Sequence, residues 1–98
     1  MKLRCIVLDN SIIQQKIMEK MINNHPNLVL SGMCSSVLEA NHHLTNNKID
    51  VMFLDVELQF LSGFEFLESL ENPPQTILTS NKPDYAAKAF EYNISYYL

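Results

Sequence analysis

The sequence contains little of several residue types, and each shortage excludes a class of protein. Only two of its 98 residues are glycine, two are cysteine, and tryptophan is absent. Two cysteines are too few for a disulfide framework or a cysteine-built metal cage. Two isolated glycines exclude the glycine-rich phosphate loops of Rossmann and P-loop proteins. Charged residues make up only 18% and the formal net charge is −4, so the domain is a poor candidate for binding DNA or an anionic membrane directly.

Long apolar runs are also missing. No segment approaches the roughly 20 apolar residues that a membrane span needs, and the N-terminus lacks the layout of a signal peptide, which predicts a cytoplasmic protein. What the chain does have is 47% hydrophobic residues, at a length of 98 residues. This composition is typical of a globular protein and excludes a disordered tail, and the length suits one small domain.

Apolar residues alternate between strand-like runs and helix-like spacing along the chain. Strands are predicted at residues 3–8, 28–34, 49–54, 76–79 and 94–98. Helices are predicted between them, with Ser36–Glu39 and Ser62–Glu65 as capping boxes. Asn72-Pro73-Pro74 is predicted to stop the third helix, and Pro83 to open the fourth. Five strands alternating with four helices predict an α/β fold, with a doubly wound parallel sheet and right-handed crossovers.

Polar residues follow the strands at the edge where such a sheet binds ligands, beyond the carboxyl ends. Asp9 and Asn10 follow the first strand, Asp55 ends the third, and Ser80 follows the fourth. Asp and Asn are also favoured as caps and turn residues, which is the alternative interpretation of Asp9 alone. Clustered carboxylates stay ionised only with a cation between them, and oxygen ligands suit Mg²⁺. A carboxylate beside Mg²⁺ can attack a phosphoryl group.

Three stretches of sequence carry a resemblance to a known family. They are CIVLDN at 5–10, FLDVELQFLSGFEFL at 53–67, and ILTS at 77–80 with Tyr85-Ala86 and Phe90-Glu91 after it. Over essentially its whole length the chain resembles the receiver domain of a bacterial two-component response regulator. The third stretch is most similar to receivers that precede LytTR-type DNA-binding domains. The resemblance implies a flavodoxin-like five-stranded sheet of order 2-1-3-4-5.

The resemblance also implies a role for each candidate site residue. Asp55 is the phosphoacceptor, Ser80 is the hydroxyl that turns towards the phosphoryl group, and Tyr97 is the aromatic switch. Mg²⁺ is the implied cofactor, with a ligand set of Asp9, Asn10, Asp55 and the backbone carbonyl of Glu57. The domain is then a signalling switch that catalyses at most its own phosphorylation.

The implied partners are two proteins or domains. A sensor histidine kinase donates the phosphoryl group, and an output domain of the same parent chain, expected to regulate transcription, receives the signal. Residues 83–98 correspond to the readout face and leave open a homodimer through that region. No direct contact of this domain with nucleic acid or membrane is expected.

Departures from the family pattern leave an alternative open. Asn10 stands where a second acidic metal ligand is usual, Gln59 replaces a proline, and Asn81 replaces a small residue. The alternative is a degenerate receiver that acts as a protein-interaction module without phosphorylation. A phosphohydrolase is a weaker third possibility, because such enzymes want an aspartate where Glu57 stands.

The end of the chain carries a further expectation. The family's lysine that pairs with the phosphoryl group would lie just past Leu98, and the last helix would follow it. Residues 1–98 are therefore predicted to be a receiver domain truncated within or just after its fifth strand, with the last helix missing.

Cysteine and histidine are predicted to have structural roles. Cys5 and Cys34 fall in neighbouring strands and are expected to be buried thiols that behave as small hydrophobic residues. His42 and His43 are adjacent on a helix and face different ways, so a joint metal site is not expected.

Overall fold

The structure, a computed structural model, describes residues 2–79 together with residues 96 and 97. Its elements in chain order are β1 (Leu3–Leu8), α1 (Ile12–Asn23), β2 (Leu28–Cys34), α2 (Val37–Asn46), β3 (Val51–Asp55), α3 (Gly63–Glu68), β4 (Gln75–Thr79) and β5 (Tyr96–Tyr97). The strands form one parallel sheet in the order β2-β1-β3-β4-β5. The predicted α/β sheet and its strand order are confirmed. The helix predicted to open at Pro83 lies outside the described residues.

Each helix of the described part begins directly after a serine. The hydroxyls of Ser11, Ser36 and Ser62 accept the backbone N–H three residues further on, which satisfies one of the free donors of each first turn. At Ser62 the predicted capping box is complete, because Oε1 of Glu65 accepts the Ser62 N–H at 3.0 Å. None of the helices in this part of the chain has the length and apolar character needed to cross a membrane.

Two elements are shorter than the sequence pattern predicts. Strand β3 starts at Val51 and not at Ile49. Asp50 instead bridges to β1, since its N–H donates to the Arg4 carbonyl and its carboxylate accepts the Arg4 N–H at 2.8 Å. Helix α3 ends at Glu68 because the Ser69 hydroxyl donates to the carbonyl of Phe66 at 2.6 Å and closes the last turn.

The central strands are buried on both faces by side chains that alternate along each strand. On one face Ile6, Leu8, Met52 and Leu54 pack with the apolar side chains of α2 and α3. On the other face the alternate strand residues Cys5, Val7, Val51 and Phe53 pack against Met18 and Ile22 of α1. A strand enclosed on both sides can project polar groups only at its ends, so this packing positions the residues that follow β1 and end β3.

Both cysteines are buried free thiols, as predicted. Cys5 lies in the core beneath α1 and Cys34 in the core beneath α2 and α3. Burial raises the pKa of each thiol to about 11, with the negative charge of Glu39 adding to the effect at Cys34. Such thiols stay protonated and act as apolar filling.

Candidate functional site

Adjacent strands bring the two predicted carboxylates together at one edge of the sheet. Leu8 of β1 lies opposite Leu54 of β3, so Asp9 and Asp55 follow at neighbouring positions. An open cavity of about 540 Å³ lies at this point. Its lining includes four of the predicted site residues, Asp9, Asn10, Asp55 and Glu57, together with Thr79.

Each carboxylate is held by the loop that follows it. Oδ1 of Asp9 accepts the N–H of Ser11 at 2.8 Å, and Oδ1 of Asp55 accepts the N–H of Glu57 at 3.1 Å. Asp9 is only 2% exposed and Asp55 is half-buried. Both side chains have therefore lost much of their contact with water, which disfavours the charged form.

The pKa values of the two carboxyl groups reflect this arrangement. Burial raises the pKa of Asp55 to about 6, against the opposing hydrogen bond from Glu57, and the negative charges of Asp9 and Glu57 raise it further. Burial also raises the pKa of Asp9, and the hydrogen bond from Ser11 partly offsets the rise. The edge therefore resists carrying two negative charges, and a bound cation would relieve that cost.

The loop after Asp55 is closed by Gly63, a glycine with no predicted role. The N–H of Gly63 donates to the Val56 carbonyl at 2.7 Å. A Cβ atom on Gly63 would lie 2.4 Å from the Asp55 carbonyl oxygen, so only glycine fits without a backbone shift. The sequence signal that could have found it is its position just after the capping residue Ser62.

A glutamine on α1 ties two loops of the same edge together. Nε2 of Gln15 donates to the Asp9 carbonyl at 2.5 Å and to Oγ of Ser35 at 2.9 Å. The β1–α1 loop is thereby held against the β2–α2 loop. Nothing in the sequence signals this contact, since Gln15 and Ser35 meet only in the folded chain.

Two other predicted site residues lie wholly or partly beyond what the structure describes. Ser80 is outside the described residues. The backbone of Tyr97 is described, and it lies in β5 opposite Leu78.

The donor atoms at the edge suit Mg²⁺ by their chemistry. Two carboxylates with raised pKa values, an amide side chain and a nearby main-chain carbonyl are oxygen donors of the kind this ion takes. Over residues 2–79, 96 and 97, no group of three or more His, Cys, Asp or Glu side chains is arranged to hold a metal. A metal here would therefore depend on the amide, the carbonyl and water to complete its shell.

Comparison with known proteins identifies relatives in sequence and in structure. The chain matches the model of the response regulator receiver domain family over residues 5–98. It is 27% identical over 96 residues to the sensory transduction protein LytT of Enterococcus faecalis, which covers 95% of this chain and 40% of LytT. The chain thus spans about two fifths of the length of this relative.

Solved structures of other receiver domains share the fold, including two from Thermotoga maritima. The response regulator domain of CheB from Thermotoga maritima superposes with a TM-score of 0.85 at 21% identity, covering 100% of this chain and 78% of that one. The response regulator TrrA of the same organism, solved in complex with Mg²⁺ and BeF, superposes with a TM-score of 0.84 at 18% identity, covering 100% and 85%. The family match extends over nearly all of the sequence and agrees with the strand order, and the chain therefore belongs to the response regulator receiver domains of two-component systems.

Proposed function

We propose that this domain is a phosphoacceptor switch in which Asp55 takes a phosphoryl group from a sensor histidine kinase, with Mg²⁺ as cofactor. One observation carries the proposal: Asp9 and Asp55 line one cavity at the ends of adjacent strands, and burial has raised both pKa values. A structural role would not require two desolvated carboxylates side by side. The signal would pass to an output domain of the same parent chain, which we expect to regulate transcription.

The proposed reaction is a transfer between two side chains. A carboxylate oxygen of Asp55 attacks the phosphorus of a phosphohistidine, a P–O bond forms, and the P–N bond to the imidazole breaks. The released imidazole nitrogen then takes a proton from water. Because Oδ1 of Asp55 accepts the Glu57 N–H, Oδ2 is the oxygen free to attack. Bound Mg²⁺ would neutralise the phosphoryl oxygens.

The remaining site residues have supporting roles in the same proposal. Asp9, Asn10, Asp55 and the backbone carbonyl of Glu57 would hold the metal. The hydroxyl of Ser80 would donate a hydrogen bond to the phosphoryl group, and Tyr97 would act as the aromatic switch. These roles rest on the family resemblance.

The donor is expected to approach along α1. Beyond the carboxylates, the wall of the cavity is formed by Ile17, Met18 and Met21. Ile17 is 54% exposed and Met21 44% exposed, which leaves an apolar surface next to the reacting carboxylate. A kinase helix that presents its phosphohistidine here would bury that surface.

Location and assembly complete the proposal. Histidine kinases of two-component systems phosphorylate receivers in the cytoplasm, so we place this domain there. A homodimer through residues 83–98 would pass the signal to the output domain.

The test is phosphorylation of the full-length parent protein with acetyl phosphate and Mg²⁺, followed by intact mass spectrometry. We expect the mass gain of one phosphoryl group in the natural protein and none in Asp55→Asn. Asp50→Asn is the matched control, because Asp50 precedes the same strand at its opposite end, and it should gain the same mass. No gain in the natural protein at millimolar Mg²⁺ would instead favour the degenerate receiver, whose partner binding would survive Asp55→Asn.

A further inference from the structure

A second cavity, of about 230 Å³, lies between the β2–α2 loop and the β3–α3 loop. Its apolar lining consists of Val37, Leu38, Leu58, Phe60 and Leu61, and we call it the Phe60 groove. It is formed on the opposite face of the sheet from α1, and none of its lining residues lines the carboxylate cavity.

The rim of the groove exposes two large apolar side chains. Phe60 is 96% exposed and Leu38 is 81% exposed. Phe60 also has a φ of 75°, in the left-handed region that a bulky residue rarely adopts. An aromatic residue in such a conformation adds no buried contact to this fold and costs it conformational energy, which is typical of a residue retained for binding.

The side chains at the bottom of the groove are held in place by packing against the core. Val37, Leu58 and Leu61 are partly buried and pack against the core beneath α2 and α3. The loop that carries Phe60 is anchored at both ends, by the Glu57 N–H on Asp55 and by the capping box at Ser62. The loop that carries Phe60 is therefore held at both ends, and a partner would bind a surface that needs little reordering.

The charge beside the groove is acidic in the described part of the chain. Glu39 follows Leu38 and is exposed, and its Oε1 accepts the hydroxyl of the lining residue Ser36 at 3.5 Å. The cations of the described residues lie elsewhere: Lys2, Arg4 and Lys48 near the amino ends of the strands, and Lys16 and Lys20 on α1 across the sheet. Acidic rims repel anionic lipid and nucleic acid, and a second copy of the groove would bring like charges together. The complementary occupant is apolar with basic flanks.

We propose that the Phe60 groove docks a basic amphipathic segment of a partner protein. An aliphatic or aromatic anchor of that segment enters between Leu38 and Phe60, and a flanking lysine or arginine side chain faces Glu39. The docking does not require phosphorylation of Asp55, so the two proposals can be tested independently.

The test uses two synthetic helical peptides of about 16 residues with the same leucine spacing, one with lysines and one with glutamates on the polar face. Each is titrated into the ¹⁵N-labelled full chain and followed by NMR. We expect the lysine peptide alone to saturate, with shifts at the amides of residues 35–39 and 57–62.

Substitutions in the chain test whether the groove residues bind the lysine peptide. Phe60→Gly should weaken binding of the lysine peptide about tenfold, the loss expected when an apolar anchor is removed. Glycine suits the φ of 75° at this position, so the variant should fold. Leu38→Ser should weaken binding in the same direction. Val29→Ser is the control, because Val29 is 42% exposed on β2 and does not line the groove.

Several results would overturn the proposal. These are equal binding of the two peptides, no binding of either, unchanged affinity in both groove variants, or shifts confined to other residues. Sedimentation could instead reveal a dimer that Phe60→Gly abolishes, which would assign the groove to a second copy of this chain. Binding to anionic lipid vesicles that depends on Phe60 would likewise replace the protein partner with a membrane.

Discussion

The middle of the sheet and its carboxyl edge are made from the same strands, yet they contribute oppositely to stability. In the middle, Ile6, Leu8 and Leu54 are fully buried among apolar neighbours. At the edge, directly after Leu8 and Leu54, burial raises the pKa values of Asp9 and Asp55, so their charged forms are disfavoured. The buried core therefore stabilises the fold, whereas the desolvated carboxylates at the edge lower its stability and form a site.

The largest expected effect comes from truncating a side chain in the middle of the molecule. Phe66 is fully buried, so Phe66→Ala should lower the free energy of unfolding by about 3–5 kcal/mol. Phe60→Ala makes the same change at a side chain that is 96% exposed. It should change the free energy of unfolding by less than about 0.5 kcal/mol. Urea unfolding of the two variants measures the difference. Equal losses would mean that Phe60 packs into the core.

An intermediate effect is expected where the backbone itself is crowded at the edge. Gly63→Ala would put a Cβ 2.4 Å from the Asp55 carbonyl and should cost about 1–3 kcal/mol. Gly32→Ala is the matched change away from the site, where the new Cβ meets the His43 ring at 2.5 Å. The His43 side chain can rotate away more easily than the backbone at Asp55 can shift. The loss of stability should therefore be smaller for Gly32→Ala than for Gly63→Ala. Thermal unfolding compares the two, and a larger loss for Gly32→Ala would contradict this account.

The smallest expected effect concerns the charge of Asp55. Its pKa is raised to about 6 in the folded protein, so between about pH 4 and pH 6 the unfolded chain loses this proton first. The stability of the natural protein without metal should therefore fall as pH rises through that window. Asp55→Asn removes this loss and should be about 1 kcal/mol more stable at pH 7, after allowance for solvent screening of a half-buried group.

The measurement for Asp55 is urea unfolding of both proteins from about pH 2.5 to pH 7. The difference due to this charge should vanish below about pH 3, where the carboxyl group is protonated in both the folded and the unfolded state. If the proposed metal site is correct, millimolar Mg²⁺ should remove the advantage of Asp55→Asn at pH 7. Parallel curves at all pH values would show that Asp55 is not desolvated.

Much of the fold could be predicted because its signals are local. The alternation of apolar runs located the strands and helices, and the pattern at Ser62 and Glu65 identified a capping box that the structure contains. The bounds of β3 and α3 were wrong by a few residues. Those ends depend on contacts of Asp50 with β1 and of Ser69 with its own last turn, which compete with local preference.

The site could be predicted in part. Asp9 and Asp55 stood out because each lies at the carboxyl end of an apolar strand. The contacts that support them were missed, namely the close approach of Gly63 and the bond from Gln15 to Ser35. Ser80 and the side chain of Tyr97 remain predictions.

The sequence by itself determined the order of strands and helices, the residues that cap the helices, and the carboxylates that follow the strands. These depend on side-chain periodicity and on neighbours within a few residues. Only the tertiary structure decided that the carboxylates share one cavity, that burial raises their pKa values, and that Phe60 is exposed beside a groove. Burial and distance between remote residues exist only once the chain has folded, because desolvation depends on what packs around a group.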